Sequence, residues 1–367
     1  MQSFIRFGSL SLPWAALIVV FAGATNGVAQ TKLGLLPAPR EAQLGQTTDL
    51  PDKILVTVPG HDAEDEFAAH DLEDALKRMS PAANESHAAQ PPYRITLLRN
   101  SSDTAKAGLA GNSLAFDSVM ESEGYVLVIG PHEAAIIGAT GSGVYYGVQT
   151  FKQLLPLPGA PRVIPTGTVR DWPAMQYRGI SDDLSRGPFP TLDFQKHQIR
   201  VLASFKINIY SPYFENTLFF PDHPLAAPAG ASLTPAQAAE LVAYARQYHV
   251  TIVPDQESFG HLHHVLKWEI DQDKAETPHG YMLAPGQDGT LPLIKDWFTE
   301  IAQEFPSPFI HIGADETFDL GQGRTHDAVA QQGYGPVYVA FVKQIHDALA
   351  PLNRRLLFWG DIGDANP

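Results

Sequence analysis

From residue 177 onward the sequence alternates short apolar runs with longer amphipathic ones, and this alternation restricts the fold more than any other feature. Runs 177–182, 206–210, 250–254, 309–313 and 355–359 are short and apolar. Between them, 192–205, 235–249, 291–305 and 337–349 carry apolar residues at helical spacing, with Thr234 placed to cap the second of these. No hairpin signal joins consecutive runs, and a strand–helix rhythm without hairpins builds parallel sheet. Five strands, four helices and long loops after the strands predict an α/β fold, a (β/α)8 TIM-type barrel of which about five β/α units are present. An open doubly wound sheet is the alternative. In a barrel, catalytic groups come from the carboxyl ends of several strands.

The barrel-like region, 173–367, follows a different first half. Residues 31–172 read as a small α+β domain, with strands at 54–58, 93–98, 125–129 and 134–138 and helices at 63–79 and 144–155. The strands are expected on one side and the helices on the other. Gly141-Ser142-Gly143 reads as a bend that lacks a full dinucleotide fingerprint, so no nucleotide cofactor is expected. A linker rich in proline and glycine, 161–173, joins the two halves.

Residues 1–29 have the pattern of an export signal: Arg6 is the lone charge, 10–24 is mostly apolar, and Gly27-Val28-Ala29 offers small residues for cleavage. The apolar core is short for a membrane span, so a secreted or periplasmic protein with no stable span after cleavage is expected. The formal charge is −15 without a Lys/Arg cluster, which argues against a nucleic-acid partner. With no cysteine in the chain, thiol nucleophiles and thiolate metal sites are excluded.

The strand ends are rich in functional groups. The first offers Asp182, Asp183 and Arg186; the second Tyr213, Glu215 and Asn216; the third Asp255, Glu257 and His261. The fourth runs through His311-Ile312-Gly313-Ala314 into Asp315 and Glu316, and the fifth ends at Trp359 and Asp361. Two adjacent carboxylates at the end of a buried strand are costly to place unless they are used. A mouth of acids, one arginine, one histidine and aromatic rings suits a carbohydrate: rings stack on the apolar face of a sugar, and carboxylates and arginine bond its hydroxyls. Trp268 and Trp359 are candidate platforms. His261, His263 and His264 stand at spacings that do not put three ligands on one helix face, so no metal is expected.

These motifs resemble glycoside hydrolase family 20, the β-N-acetylhexosaminidases. His311-Ile312-Gly313-Ala314-Asp315-Glu316 is similar to its His-x-Gly-Gly-Asp-Glu signature, with Ala314 at the second glycine. Residues 178–186, ending in Arg186, resemble its first barrel strand, Lys206-Ile207-Asn208 its second, and 147–155 the last helix of its small N-terminal domain. The segments 211–217, 258–268 and 315–324 look more like a divergent bacterial branch.

The resemblance implies exo-acting hydrolysis of a terminal N-acetylglucosamine or N-acetylgalactosamine, by a retaining mechanism in which the substrate's own acetamido carbonyl is the nucleophile. It implies Glu316 as general acid/base, Asp315 as the carboxylate that orients the acetamido N–H, and His261 as a partner of Glu316. Burial and the Asp315 charge would let Glu316 hold its proton. Arg186 would anchor sugar hydroxyls, with Asp183, Glu215, Asn216, Trp268, Trp359 and Asp361 as further substrate-binding candidates; Glu215 and Asn216 would contact substrate or support His261. No cofactor is implied. The family barrel has eight strands, so the chain is expected to be truncated or completed by another chain. The alternative is an inactive or carbohydrate-binding relative.

Overall fold

The computed structural model describes residues 34–79, 91–228, 230–278 and 280–362; the predicted export segment lies outside them. The first half is a six-stranded sheet with helices on both faces. Its elements are β1 (Glu41–Asp49), β2 (Ile54–Thr57), α1 (Ala63–Lys77), β3 (Tyr93–Arg99), α2 (Asp103–Gly111), β4 (Tyr125–Ile129), β5 (Glu133–Gly138), α3 (Gly141–Leu154) and β6 (Val163–Asp171). The strand order is β1-β6-β4-β5-β3-β2. β2, β3 and β5 run parallel, and β4, β6 and β1 continue antiparallel.

Alternation along the strands divides the apolar side chains between two layers. Ile95, Leu127 and Ile136 join α1 and α3 in the main core, while Val126 and Ile137 pack with Ala105 and Leu109 of α2 on the opposite face. The sequence reading placed all helices on one side and missed α2, whose two glycines weaken its helical pattern. Gly141-Ser142-Gly143 is not a free bend. It is the first turn of α3, capped by Thr140, whose hydroxyl accepts from the Gly143 N–H at 3.2 Å.

The second half supplies five parallel strands: β7 (Gly179–Asp183), β8 (Ile209–Tyr213), β9 (Thr251–Ile252), β10 (Phe309–His311) and β11 (Arg355–Leu357). Between them run α4 (Leu192–Ser204), α5 (Pro235–Gln247), α6 (His263–Leu266), α7 (Thr290–Glu304), α8 (His326–Gln332) and α9 (Tyr334–Leu349). β7, β8 and β9 pair in sequence order, as do β10 and β11. Asp255 joins the two groups through bridges to Tyr213 on one side and His311 on the other. The five strands thus form one curved array with the helices outside. Among the described residues β7 and β11 are its edges, with Ile180 and Leu357 each 39% exposed.

The second strand begins three residues later than the sequence reading put it. Lys206 has φ of +60° and closes the C-terminus of α4, so the strand starts at Ile209. That shift carries Tyr213 to the strand end.

Lys206 also ties the halves together. Its side chain is buried, and Nζ donates to Tyr125 Oη at 2.7 Å and to Asp171 Oδ2 at 3.0 Å, with Tyr125 Oη donating to the same carboxylate. Arg178 pairs with Glu123 at 2.8 Å, and Tyr145 on α3 packs against Tyr248 and His249 at the end of α5. Removing one partner of a buried ion pair strands the other charge. Lys206→Ala should therefore lower unfolding free energy by about 3–5 kcal/mol in denaturant titration, whereas replacing Lys206 and Asp171 together with apolar residues should recover most of it. A single-variant loss below about 1 kcal/mol would contradict this account.

Candidate active site

The carboxyl ends of the strands enclose a pocket of about 350 Å³ lined by Ser181, Asp183, Arg186, Tyr213, His261, Asp315, Glu316 and Trp359. These side chains come from the ends of all five strands, β7 and β10 giving more than one each, which is what parallel strands with long following loops produce. On β7, alternation sends Asp183 into the pocket and Asp182 the other way, where it accepts from Tyr210 Oη at 2.9 Å and Gln198 Nε2 at 3.1 Å.

The turn carrying the two acids is strained. Gly313, Ala314 and Glu316 have φ of +62°, +72° and +45°, and Glu215 and His261 on neighbouring loops have +48° and +52°. Non-glycine residues with positive φ are uncommon, and four of the nine among the described residues, Glu215, His261, Ala314 and Glu316, stand at or beside the pocket. Ala314 therefore occupies a conformation that suits glycine, the residue of the family pattern. Gly313 has a second reason to be glycine: a Cβ there would lie 2.3 Å from the carboxyl carbon of Glu257. The turn is held by Tyr338 Oη donating to the Ala314 carbonyl at 2.9 Å and by Ser258 Oγ donating to the Ile312 carbonyl at 2.7 Å.

Arg186 is fixed before any ligand arrives. It bonds Asp183 at 2.8 Å, meets Glu215 at 3.2 Å and stacks over the Tyr213 ring at 5.3 Å. Burial would raise the Asp183 carboxyl, but bonds from Ser185 and Arg186 outweigh it and hold that carboxyl below its usual range. Arg186 also approaches His261 Nδ1 at 3.3 Å, as does Tyr281 Oη. A guanidinium can only donate, so Nδ1 is the acceptor and the ring proton sits on Nε2. Nε2 faces Glu316 Oε2 at 3.2 Å and Asp315 Oδ2 at 3.8 Å. The two acids differ in surroundings: the Glu316 side chain is 49% exposed and that of Asp315 24%. The burial that the sequence reading expected for Glu316 is absent from the unliganded pocket.

Beneath Asp315 lies a third carboxyl group. Glu257 is fully buried, and its Oε2 accepts from the Ala314 N–H at 3.1 Å. Burial first, and then the Asp315 charge, push Glu257 well above the usual carboxylate range. Its Oε1 and the Oδ1 of Asp315 are both buried without a hydrogen-bond partner. A proton kept on Glu257 turns that carboxyl from an acceptor into a donor beside Asp315. Asp255 is likewise raised by burial, against the pull of His311 Nδ1 at 2.8 Å.

The remaining sequence candidates take varied places. Trp359 lines the pocket, with its ring 4.7 Å from that of His311. Asp361 meets the Glu316 N–H at a long 3.5 Å. Glu215 supports Arg186 rather than His261 directly, and Asn216 is buried outside the pocket lining. Trp268 stands apart, in a neighbouring trough. Tyr213 and Glu257 stood at strand ends in the sequence without a role, and Tyr281, on a loop, carried no sequence signal.

A pocket of acids and aromatics at the carboxyl ends of a parallel α/β array has the make-up of a site that binds a polar ring compound. Residues 32–172 match glycosyl hydrolase family 20, domain 2, and residues 175–367 match the catalytic domain of glycosyl hydrolase family 20; the chain belongs to that family. It is 26% identical over 290 residues to a β-hexosaminidase of Porphyromonas gingivalis, covering 66% of this chain and 36% of that protein. It is 24% identical over 276 residues to the human β-hexosaminidase subunit beta, covering 68% of this chain and 49% of the relative. The chain thus spans half or less of the length of these two relatives. Among solved structures, the family 20 β-N-acetylhexosaminidase of Streptomyces coelicolor superposes with a TM-score of 0.70 at 23% identity, over 91% of this chain and 67% of that one. A chitobiase of Flavobacterium johnsoniae gives 0.72 at 19%, over 89% and 52%.

The folded protein holds the Glu257 proton to a pH well above the 4.5 of an ordinary glutamate, while the unfolded chain releases it near 4.5. The folded state therefore binds more protons across that window, and this group's contribution to stability falls as pH rises through it. Glu257→Gln keeps the shape and removes the titration. The melting temperature of the variant relative to wild type should become more favourable from about pH 5 to about pH 8, as read by calorimetry. A pH-independent difference would overturn the assignment.

Proposed function

We propose that this protein is an exo-acting β-N-acetylhexosaminidase that hydrolyses terminal N-acetylglucosamine or N-acetylgalactosamine from glycans with retention of configuration. The observation that carries the reading is the division of labour between adjacent acids: Glu316 is open to the pocket and bonded to His261, while Asp315 is more enclosed and backed by Glu257.

In the proposed reaction the Glu316 carboxyl gives its proton to the glycosidic oxygen as the C1–O bond breaks. The carbonyl oxygen of the substrate's 2-acetamido group forms a bond to C1 from the opposite face. Asp315 accepts the acetamido N–H and stabilises the positive charge that spreads over the closing ring. Glu316 then takes a proton from water, which attacks C1 and reopens the ring, so the β configuration returns. Asp315 does this work only as a carboxylate, and Glu257 supports that state by keeping its own proton. The His261 Nε2–H steadies Glu316 when it is ionised. Arg186, locked between Asp183 and Glu215, is preorganised to receive sugar hydroxyls, and Trp359 offers a face to the ring. The enclosure that Glu316 lacks is to be completed by bound substrate. The pattern of residues 1–29 supports export of the protein.

Aryl and alkyl β-N-acetylglucosaminides test the reading. Glu316→Gln should lower kcat by about 10²–10⁴-fold, with a smaller loss for nitrophenyl than for alkyl leaving groups, since a good leaving group needs less protonation. Asp315→Asn should cost about 10²–10³-fold whatever the leaving group. Binding of N-acetylglucosamine by wild type without any turnover would sink the hydrolase reading and leave a sugar-binding protein.

A further inference from the structure

A second concavity, a trough of about 590 Å³, is lined by Phe219, Pro224, Leu225, Ala227, Pro228, His264, Lys267 and Trp268. It is built from the same two loops that furnish the pocket. The loop after β8 places Glu215 against Arg186 and, four residues on, Phe219 in the trough. The segment after β9 places His261 in the pocket and, three residues on, His264 in the trough. Four residues span at most roughly 14 Å, so trough and pocket are neighbours. They also lie on the proton donor's side. His261 touches Glu316, and the chain runs from His261 through α6 to Trp268. A leaving group must lie on the side of the acid that protonates it.

The chemistry of the trough differs from that of the pocket. Its walls are almost wholly apolar. Leu225 and Trp268 stand 50% and 39% exposed together in one concavity, an apolar patch rather than scattered single side chains. The indole N–H is already committed to the Leu225 carbonyl at 3.0 Å, so it is not offered to a hydroxyl. The Lys267 ammonium lies 5.1 Å from the indole centroid as a cation over the ring, and it is the charged exception in an otherwise apolar lining. Burial pushes the His264 ring below its usual range, towards the neutral form. A second sugar would find few partners here for its hydroxyls, whereas an alkyl chain would bury its methylenes against the walls.

We propose that this trough is an aglycone site for an apolar group, an alkyl chain attached at the reducing end of the terminal amino sugar. The assignment rests on the hydrolase reading above and adds the class of leaving group the protein favours. Octyl and methyl β-N-acetylglucosaminides, assayed below micelle-forming concentration, differ only in what reaches the trough. Wild type should show kcat/KM for the octyl glycoside at least about 10-fold above that for the methyl glycoside, the effect of under two buried methylenes. Trp268→Ala and Leu225→Asp should each bring that ratio close to one; Leu225 is a half-exposed loop residue, so its replacement opens no core cavity. A wild-type ratio near one, or a ratio that survives both substitutions, overturns the proposal, as does an equal dependence of chitobiose hydrolysis on the two residues. Absence of turnover for every glycoside would instead count against the hydrolase reading. The trough is then tested by tryptophan fluorescence: saturable octyl glycoside binding that is lost in Leu225→Asp supports it, and no saturable binding refutes it.

Discussion

The proton held on Glu257 is the constraint on which the carboxyl face of the barrel depends. Glu257 and Asp255 are fully buried beneath the turn that carries Asp315, with His311 against Asp255 at 2.8 Å and His261 3.8 Å from Asp315. Three ionised carboxylates could not share that volume. With Glu257 protonated, one carboxyl becomes a donor beside Asp315. It receives the Ala314 N–H below the turn and fills the space that a side chain at Gly313 would need. Around it Gly313, Ala314 and Glu316 adopt left-handed conformations, which only the glycine favours locally, and Asp315 and Glu316 leave the turn with different exposure.

Much of this was legible in the sequence because the signals are local. Short apolar runs separated by helical ones mark a parallel array, and the residues just past each run form its mouth; Asp183, Arg186, His261, Asp315, Glu316 and Trp359 all converge as that logic requires. What escaped notice depended on conformation or on partners far along the chain. β1 reads as polar because much of it is exposed, and it is a strand through its pairing with β6. Lys206 looks like the opening of a strand, yet its positive φ closes a helix. Glu257 was visible as an acid at a strand end, but nothing local tells that it lies under Asp315. Tyr281 reaches His261 from a loop of no recognisable pattern, and Trp268 was read as facing the sugar when the turn of α6 carries it to a separate trough.

The comparison with known structures puts a physical gloss on sequence divergence. At identities of 19–23% the array and its supporting sheet still superpose with TM-scores of 0.70–0.72. What superposes at that identity is the fold: the parallel array and the sheet packed against it.

The buried contact of Lys206 with Asp171 and Tyr125 reaches beyond stability. It crosses from the end of α4 to the sheet of the first half, with both side chains largely buried. A recombination event in the segment between them would give each product half of an ion pair unless the incoming piece carried the same complement. The two halves are therefore coupled as one unit, and the small sheet supports the array around the pocket although none of its described side chains lines it.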